Sequence, residues 1–212
     1  MGAGWWERRN NERVFAYSLH TDTVTMGWAT GLRRLQLPGI FVPLAGMPFD
    51  HARNAACMAC LDRGFDWLFS LDSDVIPPPD AVLRLMSHRQ PIISGVYHRR
   101  SNPWGLAVMQ RPPGQWIRDY PPNKVIEVDT VGAGCLLIHR SVLESLPPQD
   151  AVRGKHWFDW RVDCPAENAP QGTMSEDYTF CIHAKKNGYK VLVDTAVQCH
   201  HACYSQYGRG KV

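Results

Sequence analysis

Three clusters in this 212-residue chain hold residue types able to do chemistry. Asp72 and Asp74 stand one residue apart, directly after the apolar run WLFSL. If the backbone stays extended through Ser73, both carboxylates project the same way. Two adjacent carboxylates repel, and a divalent cation relieves that repulsion by taking both as oxygen ligands. A hard ion such as Mg2+ or Mn2+ held by only two carboxylates keeps open positions, which phosphate oxygens can fill. The pair therefore points to a metal ion with a diphosphate; the plainer alternative is a solvated turn carrying two helix-capping acids.

The second cluster is Glu176 and Asp177, just after Ser175. Ser175 is a suitable N-cap, and acids in a first helical turn are stabilised by the macrodipole, so they help any helix start. An aspartate kept ionised there and facing a cleft also suits a general base toward a hydroxyl. The third is His200 and His201, closing the run VLVDTAVQCHH. A neutral imidazole could add a third ligand to the same cation, or the two could be ordinary surface or half-buried histidines. Cys199, His200, His201 and Cys203 also offer soft ligands for zinc, with Cys57 and Cys60 as further candidates. That spacing lacks two paired knuckles, and AACMAC reads more simply as a small-residue helix face packed on a sheet.

The elements that must position these groups alternate strand-like and helix-like from Val14 onward, the pattern of an α/β fold with a mostly parallel sheet. Strands are predicted at VFAYS, GIFVPL, WLFSL and PIISGVY. Helices are predicted over MGWATGLRRLQL, over 50–61 with Gly64 as its stop, and over AVLRLMSH after the proline run 77–79. Residues 98–129, rich in Pro, Gly, Trp and Arg, read as hairpin and loop. VDTVGAGCLLIHR reads as two strand pieces broken by Gly132 and Gly134, followed by the short helix SVLESL. Residues 147–173 read mostly as loop, and the chain then closes with a capped helix, a glycine stop and a final strand.

A composition of 44% hydrophobic residues is enough for one sizeable core and predicts a single domain. The net charge of +3 is too mild to announce a nucleic-acid binder, though it suits an anionic small molecule. Seven scattered cysteines fit reduced thiols better than a disulfide framework. No run is apolar enough to span a bilayer, the opening MGAGWWERRNNER lacks the apolar core of a signal peptide, and Trp6 stands where a myristoylation site wants a hydroxyl residue. These features predict a cytoplasmic address.

Five segments in order carry a family resemblance: HARNAA, WLFSLDSDVIPPPDAV, ISGVYHRR, VDTVGAGCLLIHRSVLESL and SEDYTFCIHAKKNGYKVLVDT with its trailing histidines. From about Val14 to His201 the chain resembles a small glycosyltransferase of the GT-A fold, close to the inverting family-two enzymes and their phage-type relatives. The resemblance implies a Rossmann-like, mostly parallel central sheet flanked by helices, with a small antiparallel acceptor-side portion. It also implies a nucleotide-sugar-binding half at about 14–97 and an acceptor-binding and catalytic half at about 98–201, and, for a phage-encoded protein, a place in the host cytoplasm.

The resemblance assigns Asp72, Ser73 and Asp74 to the metal and the nucleotide-sugar diphosphate, and Arg53 and Asn54 to the neighbourhood of the nucleotide. Asp177 becomes the base, with Glu176 beside it at the acceptor. His201 aligns better than His200 with a histidine that follows the last strand, although His200 replaces the glycine usual before it. Tyr97 to Arg100 would line the donor cleft, unless Arg99 and Arg100 form only a solvated edge. Trp104, Trp157 and Trp160 would stack on a sugar ring or a base, or anchor their loops. The implied reaction is metal-dependent transfer of a sugar from a nucleoside diphosphate donor, with UDP the expected nucleotide, to an acceptor hydroxyl with inversion. The acceptor would be a glycan, a protein or a modified base in phage DNA. Two rivals remain: a haloacid-dehalogenase-like phosphatase with Asp72 as nucleophile, in which Ile76 departs from the expected Thr or Val, and a non-enzymatic zinc-stapled binding module.

Overall fold

The computed structural model describes residues 11–20, 23–99, 109–111, 115–147, 156–160 and 174–202. Trp6, Arg100, Trp104 and Cys203 lie outside them. In chain order the described elements begin with β1 (Val14–Leu19), α1 (Met26–Arg34), β2 (Gly39–Leu44), α2 (Phe49–Asp62), β3 (Trp67–Leu71) and β4 (Val75–Ile76). There follow α3 (Ala81–Ser87), β5 (Ile92–Val96), β6 (Met109–Arg111), β7 (Gln115–Trp116), β8 (Val125–Val128) and β9 (Thr130–Val131). The chain continues through β10 (Cys135–His139), α4 (Arg140–Ser145), α5 (Glu176–Lys186), β11 (Val191–Gln198) and β12 (His200–His201).

Seven strands form the central sheet in the order β2-β1-β3-β10-β5-β11-β8. β1 pairs in parallel with β2 and β3, and β5 with β11, whereas β10 and β8 run antiparallel to their neighbours. Strand alternation divides the apolar side chains between two faces. Phe15, Tyr17, Leu68, Leu136 and Val193 meet Ala56, Cys57 and Cys60 of α2, Leu143 of α4 and Phe180 of α5. Val14, Ala16, Phe69, Leu71 and Leu137 turn the other way, onto Trp28 of α1 and Val82 and Leu85 of α3. A three-layer α/β sandwich results, with a separate three-stranded antiparallel sheet β7-β6-β9.

Local chemistry fixes the helix ends. Thr25 caps α1, its hydroxyl accepting from the Trp28 backbone N–H at 3.1 Å. Gly64 and Gly188, with φ of +68° and +86°, turn the chain out of α2 and α5 in the left-handed region that glycine tolerates. Two expectations need correcting. Ser175 stands at the N-cap of α5, but its hydroxyl makes no capping bond and donates to Asp177 instead. The last strand does not run through the histidines: its pairing with β5 shifts register between Val193 and Gln198, and His200–His201 form a separate two-residue pairing with β4.

Asn54 of α2 holds the 156–160 segment in place. Its Oδ1 accepts from the Trp157 and Phe158 N–H groups at 2.8 and 3.1 Å, and its Nδ2 donates to the Phe158 carbonyl at 2.7 Å. Phe158 then stacks on Phe180 of α5, ring centroids 4.7 Å apart. Asn54→Ala leaves these buried backbone groups unpaired and is expected to destabilise the fold by about 2–4 kcal/mol, read as a lowered urea midpoint at unchanged slope.

Candidate active site

The parallel strands β3, β5 and β11 all end at one edge of the sheet, where β10 begins: Cys135 is in register with Leu71. Asp72 follows β3, Tyr97 follows β5, His201 lies just beyond β11, and Ala133 and Gly134 precede β10. The topology thus gathers four distant segments at the edge where open α/β sheets bind ligands.

The turn carrying Asp72 and Asp74 is held from several sides. Asp72 N–H donates to the Gly134 carbonyl at 3.1 Å, and the Asp72 carbonyl accepts from the Trp28 indole at 2.9 Å and from Val75 N–H at 3.1 Å. Ala202 N–H donates to the Asp74 carbonyl at 2.7 Å, beside the β4–β12 pairing of His201 with Val75 and His200 with Ile76. Gly31 lets α1 approach this ribbon, since a Cβ there would lie 2.6 Å from Ile76 Cγ2.

At the centre is Arg53, only 4% exposed. Its Nε donates to Glu176 Oε1 at 2.9 Å, and one terminal nitrogen donates to Ser70 Oγ at 2.7 Å and Tyr17 Oη at 3.4 Å. The other reaches Asp72 Oδ1 at 3.2 Å. Burial works against its charge, but the fields of Tyr17, Asp72, Glu176 and Asp177 outweigh it and hold the guanidinium ionised. One buried cation therefore ties the end of β3 to the start of α5.

Asp177 accepts at Oδ1 from Ser175 Oγ and from Tyr178 N–H at 2.8 Å, and at Oδ2 from Ala133 N–H at 3.3 Å. Burial, then the charge of Glu176, pushes its pKa up to about 6, against the opposing pull of Arg53 and the Ser175 hydrogen bond. It is a carboxylate at neutral pH with a basicity suited to accepting a proton.

His201 Nδ1 lies 2.6 Å from the His98 carbonyl, which can only accept, so Nδ1 carries the proton. Nε2 faces Asp74 Oδ1 at 3.4 Å. An imidazole oriented through its other nitrogen, beside a carboxylate, is the arrangement found around metal ligands. His200 is exposed. Asp72, by contrast, turns Oδ1 to Arg53, and among the described residues no three His, Cys, Asp or Glu side chains form a metal-holding cluster. Cys57 and Cys60 belong to the core on one face of the sheet and Cys199 to the core on the other, so these thiols do not converge. Trp157 is buried and donates to the Leu143 carbonyl, while Trp160 is 46% exposed. Arg99 lies over Trp116, which the sequence reading did not single out.

No family model and no curated protein matches this chain. Solved structures do. One, described as A197 from STIV, superposes with a TM-score of 0.62 at 17% identity, covering 90% of this chain and 86% of that one. Another is GalNAc-T7 with UDP, GalNAc and Mn2+, with a TM-score of 0.59 at 8% identity over 92% of this chain and 45% of that one. The chain has a GT-A-like fold. It spans under half of the GalNAc-T7 chain, and no described helix is long and apolar enough to cross a membrane.

Within this GT-A-like frame, Asp72 and Glu176 are joined by Arg53 with Asp177 next to Glu176, and Asp74 pairs with His201, whereas Asn54 is engaged by the 156–160 backbone. Sequence reasoning passed over Tyr17, Ser70 and Trp28, which position the site; their only sequence signal was a polar or indole group in an apolar stretch. Arg53→Gln leaves Asp72 and Glu176 without their counter-charge and is expected to destabilise the fold by about 3–5 kcal/mol in urea titrations. For Asp177 the sign runs the other way. Its pKa rises from 3.8 unfolded to about 6 folded, so its ionisation lowers stability as pH climbs through that window, and the loss persists above it. Asp177→Asn should raise Tm at about pH 8 and leave it unchanged at about pH 4, checked by thermal melts.

Proposed function

We propose that this chain is a metal-dependent glycosyltransferase, moving a sugar from a nucleoside diphosphate donor to an acceptor hydroxyl with inversion. The observation that carries this reading is the Arg53 bridge, which brings Asp72 of the D-x-D turn and the Glu176–Asp177 helix start to one site. UDP and Mn2+ are the favoured partners because the GT-A-like neighbour GalNAc-T7 was solved with both. The acceptor remains the class named from sequence: a glycan, a protein or a modified base bearing a free hydroxyl.

Asp74 and His201 fit a divalent cation, since a carboxylate oxygen and an oriented imidazole nitrogen stand side by side there. Asp72, held by Arg53 at Oδ1 and two residues before Asp74 in the same turn, completes the donor side. When bound, the cation supplies neutralisation of the charge that develops on the departing diphosphate. Asp177 accepts the proton of the attacking hydroxyl, and Ala133 N–H and Ser175 keep its carboxylate oriented. Glu176, paired with Arg53, flanks the acceptor, and attack opposite the leaving group inverts the anomeric centre.

Asp74→Ala and His201→Ala are each expected to abolish the Mn2+-dependent thermal shift produced by UDP. Asp177→Asn should keep that shift and lose turnover by about a hundredfold or more, and the wild-type rate should fall on the acid side of about pH 6. A UDP shift that is indifferent to metal, or an Asp177→Asn protein that transfers at the parental rate, would refute the assignment. Stoichiometric zinc in protein purified without added metal would favour the zinc-stapled module instead.

A further inference from the structure

Tyr97 is a buried polar group at this edge to which the reaction above gives no part. It sits immediately beyond β5, 5% exposed, with its ring edge-on to His201 at 5.5 Å and 88°. Its hydroxyl oxygen accepts from Gly134 N–H at 3.0 Å. Gly134 is needed for this approach: a Cβ there would lie 2.8 Å from Tyr97 Oη and 3.0 Å from Asp72 Oδ2. The hydroxyl and that carboxylate oxygen thus flank one small space, where only a glycine fits.

A phenol both accepts and donates, and the proton of this one has no acceptor among the described residues. A tyrosine phenol is neutral at physiological pH, so the hydroxyl is available as a donor. Gly134 N–H holds this hydroxyl beside Asp72, assigned to the diphosphate side, while the adjacent Ala133 N–H holds Asp177, assigned as the base. A donor sugar in flight between leaving group and acceptor must lie between the same two groups.

We propose that Tyr97 is a further catalytic residue, whose hydroxyl donates a hydrogen bond to an oxygen of the sugar carried by the donor, and not to its nucleotide. The inference rests on the glycosyltransferase reading and assigns a contact that neither the D-x-D turn nor the base supplies. A group touching only the sugar contributes to binding and turnover of the sugar nucleotide and nothing to binding of UDP alone.

The test compares wild type with Tyr97→Phe, measuring UDP binding with Mn2+ by calorimetry and UDP release from a panel of UDP-sugars. Tyr97→Phe is expected to bind UDP with Mn2+ within about twofold of wild type and to lose about ten- to a hundredfold in kcat/KM. A fluorinated tyrosine at position 97 keeps the shape and the Gly134 contact while making the phenol a stronger donor, so it guards against misfolding of the phenylalanine variant. Its kcat/KM should differ from wild type while UDP affinity stays constant. Unchanged turnover in Tyr97→Phe, or UDP affinity falling in step with turnover, would overturn the role of Tyr97 alone. A wild-type protein that binds UDP with Mn2+ but releases none from any UDP-sugar would overturn the transferase reading and this inference with it.

Discussion

A single buried guanidinium decides whether this edge of the sheet can hold its charges at all. Asp72, Glu176 and Asp177 converge there from segments far apart in sequence, and without a cation among them their mutual repulsion would drive them apart. Arg53 resolves the conflict by geometry as well as charge. Its planar fork reaches Glu176 from Nε and Asp72 from a terminal nitrogen, while Ser70 and Tyr17 take further donors. A lysine could supply the charge without the fork. Because α2 carries Arg53 and Asn54 side by side, the helix that neutralises the site also anchors the segment packed over it.

The acidic groups divide by environment. Glu176 is buried against Arg53 and committed to that pair. Asp177, its neighbour in sequence, makes its contacts with Ser175, Tyr178 and Ala133 and is pushed toward neutrality by burial. Two carboxylates on consecutive residues thereby acquire different environments, one fixed as the counter-ion of Arg53 and the other raised in basicity by burial.

Much of the scaffold was legible in the sequence. GIFVPL and WLFSL are strands residue for residue, and the helix expected over 50–61 spans Phe49–Asp62. Short apolar runs bounded by Gly and Pro leave little ambiguity. β8 was partly lost in a region read as loop, because VIEV gains its strand character from pairing with β11. The candidate site was legible as residue types and not as contacts. The sequence could not show that position 53 reaches position 176, that Ser175 serves Asp177 and not the helix backbone, or that His201 faces Asp74 while His200 is exposed. Each is settled by tertiary packing, which spacing along the chain does not encode.

The two-residue ribbon between β4 and β12 has a consequence for biosynthesis. It closes a loop that encloses most of the chain, and contacts of such long range form late, once the intervening sheet has offset the entropy of closure. The D-x-D turn emerges early from the ribosome, yet its partner strand is among the last of the described segments to be made. A nascent chain can therefore complete much of its sheet while this turn is still unclasped, and the pairing of His201 with Asp74 forms only when translation has passed His201.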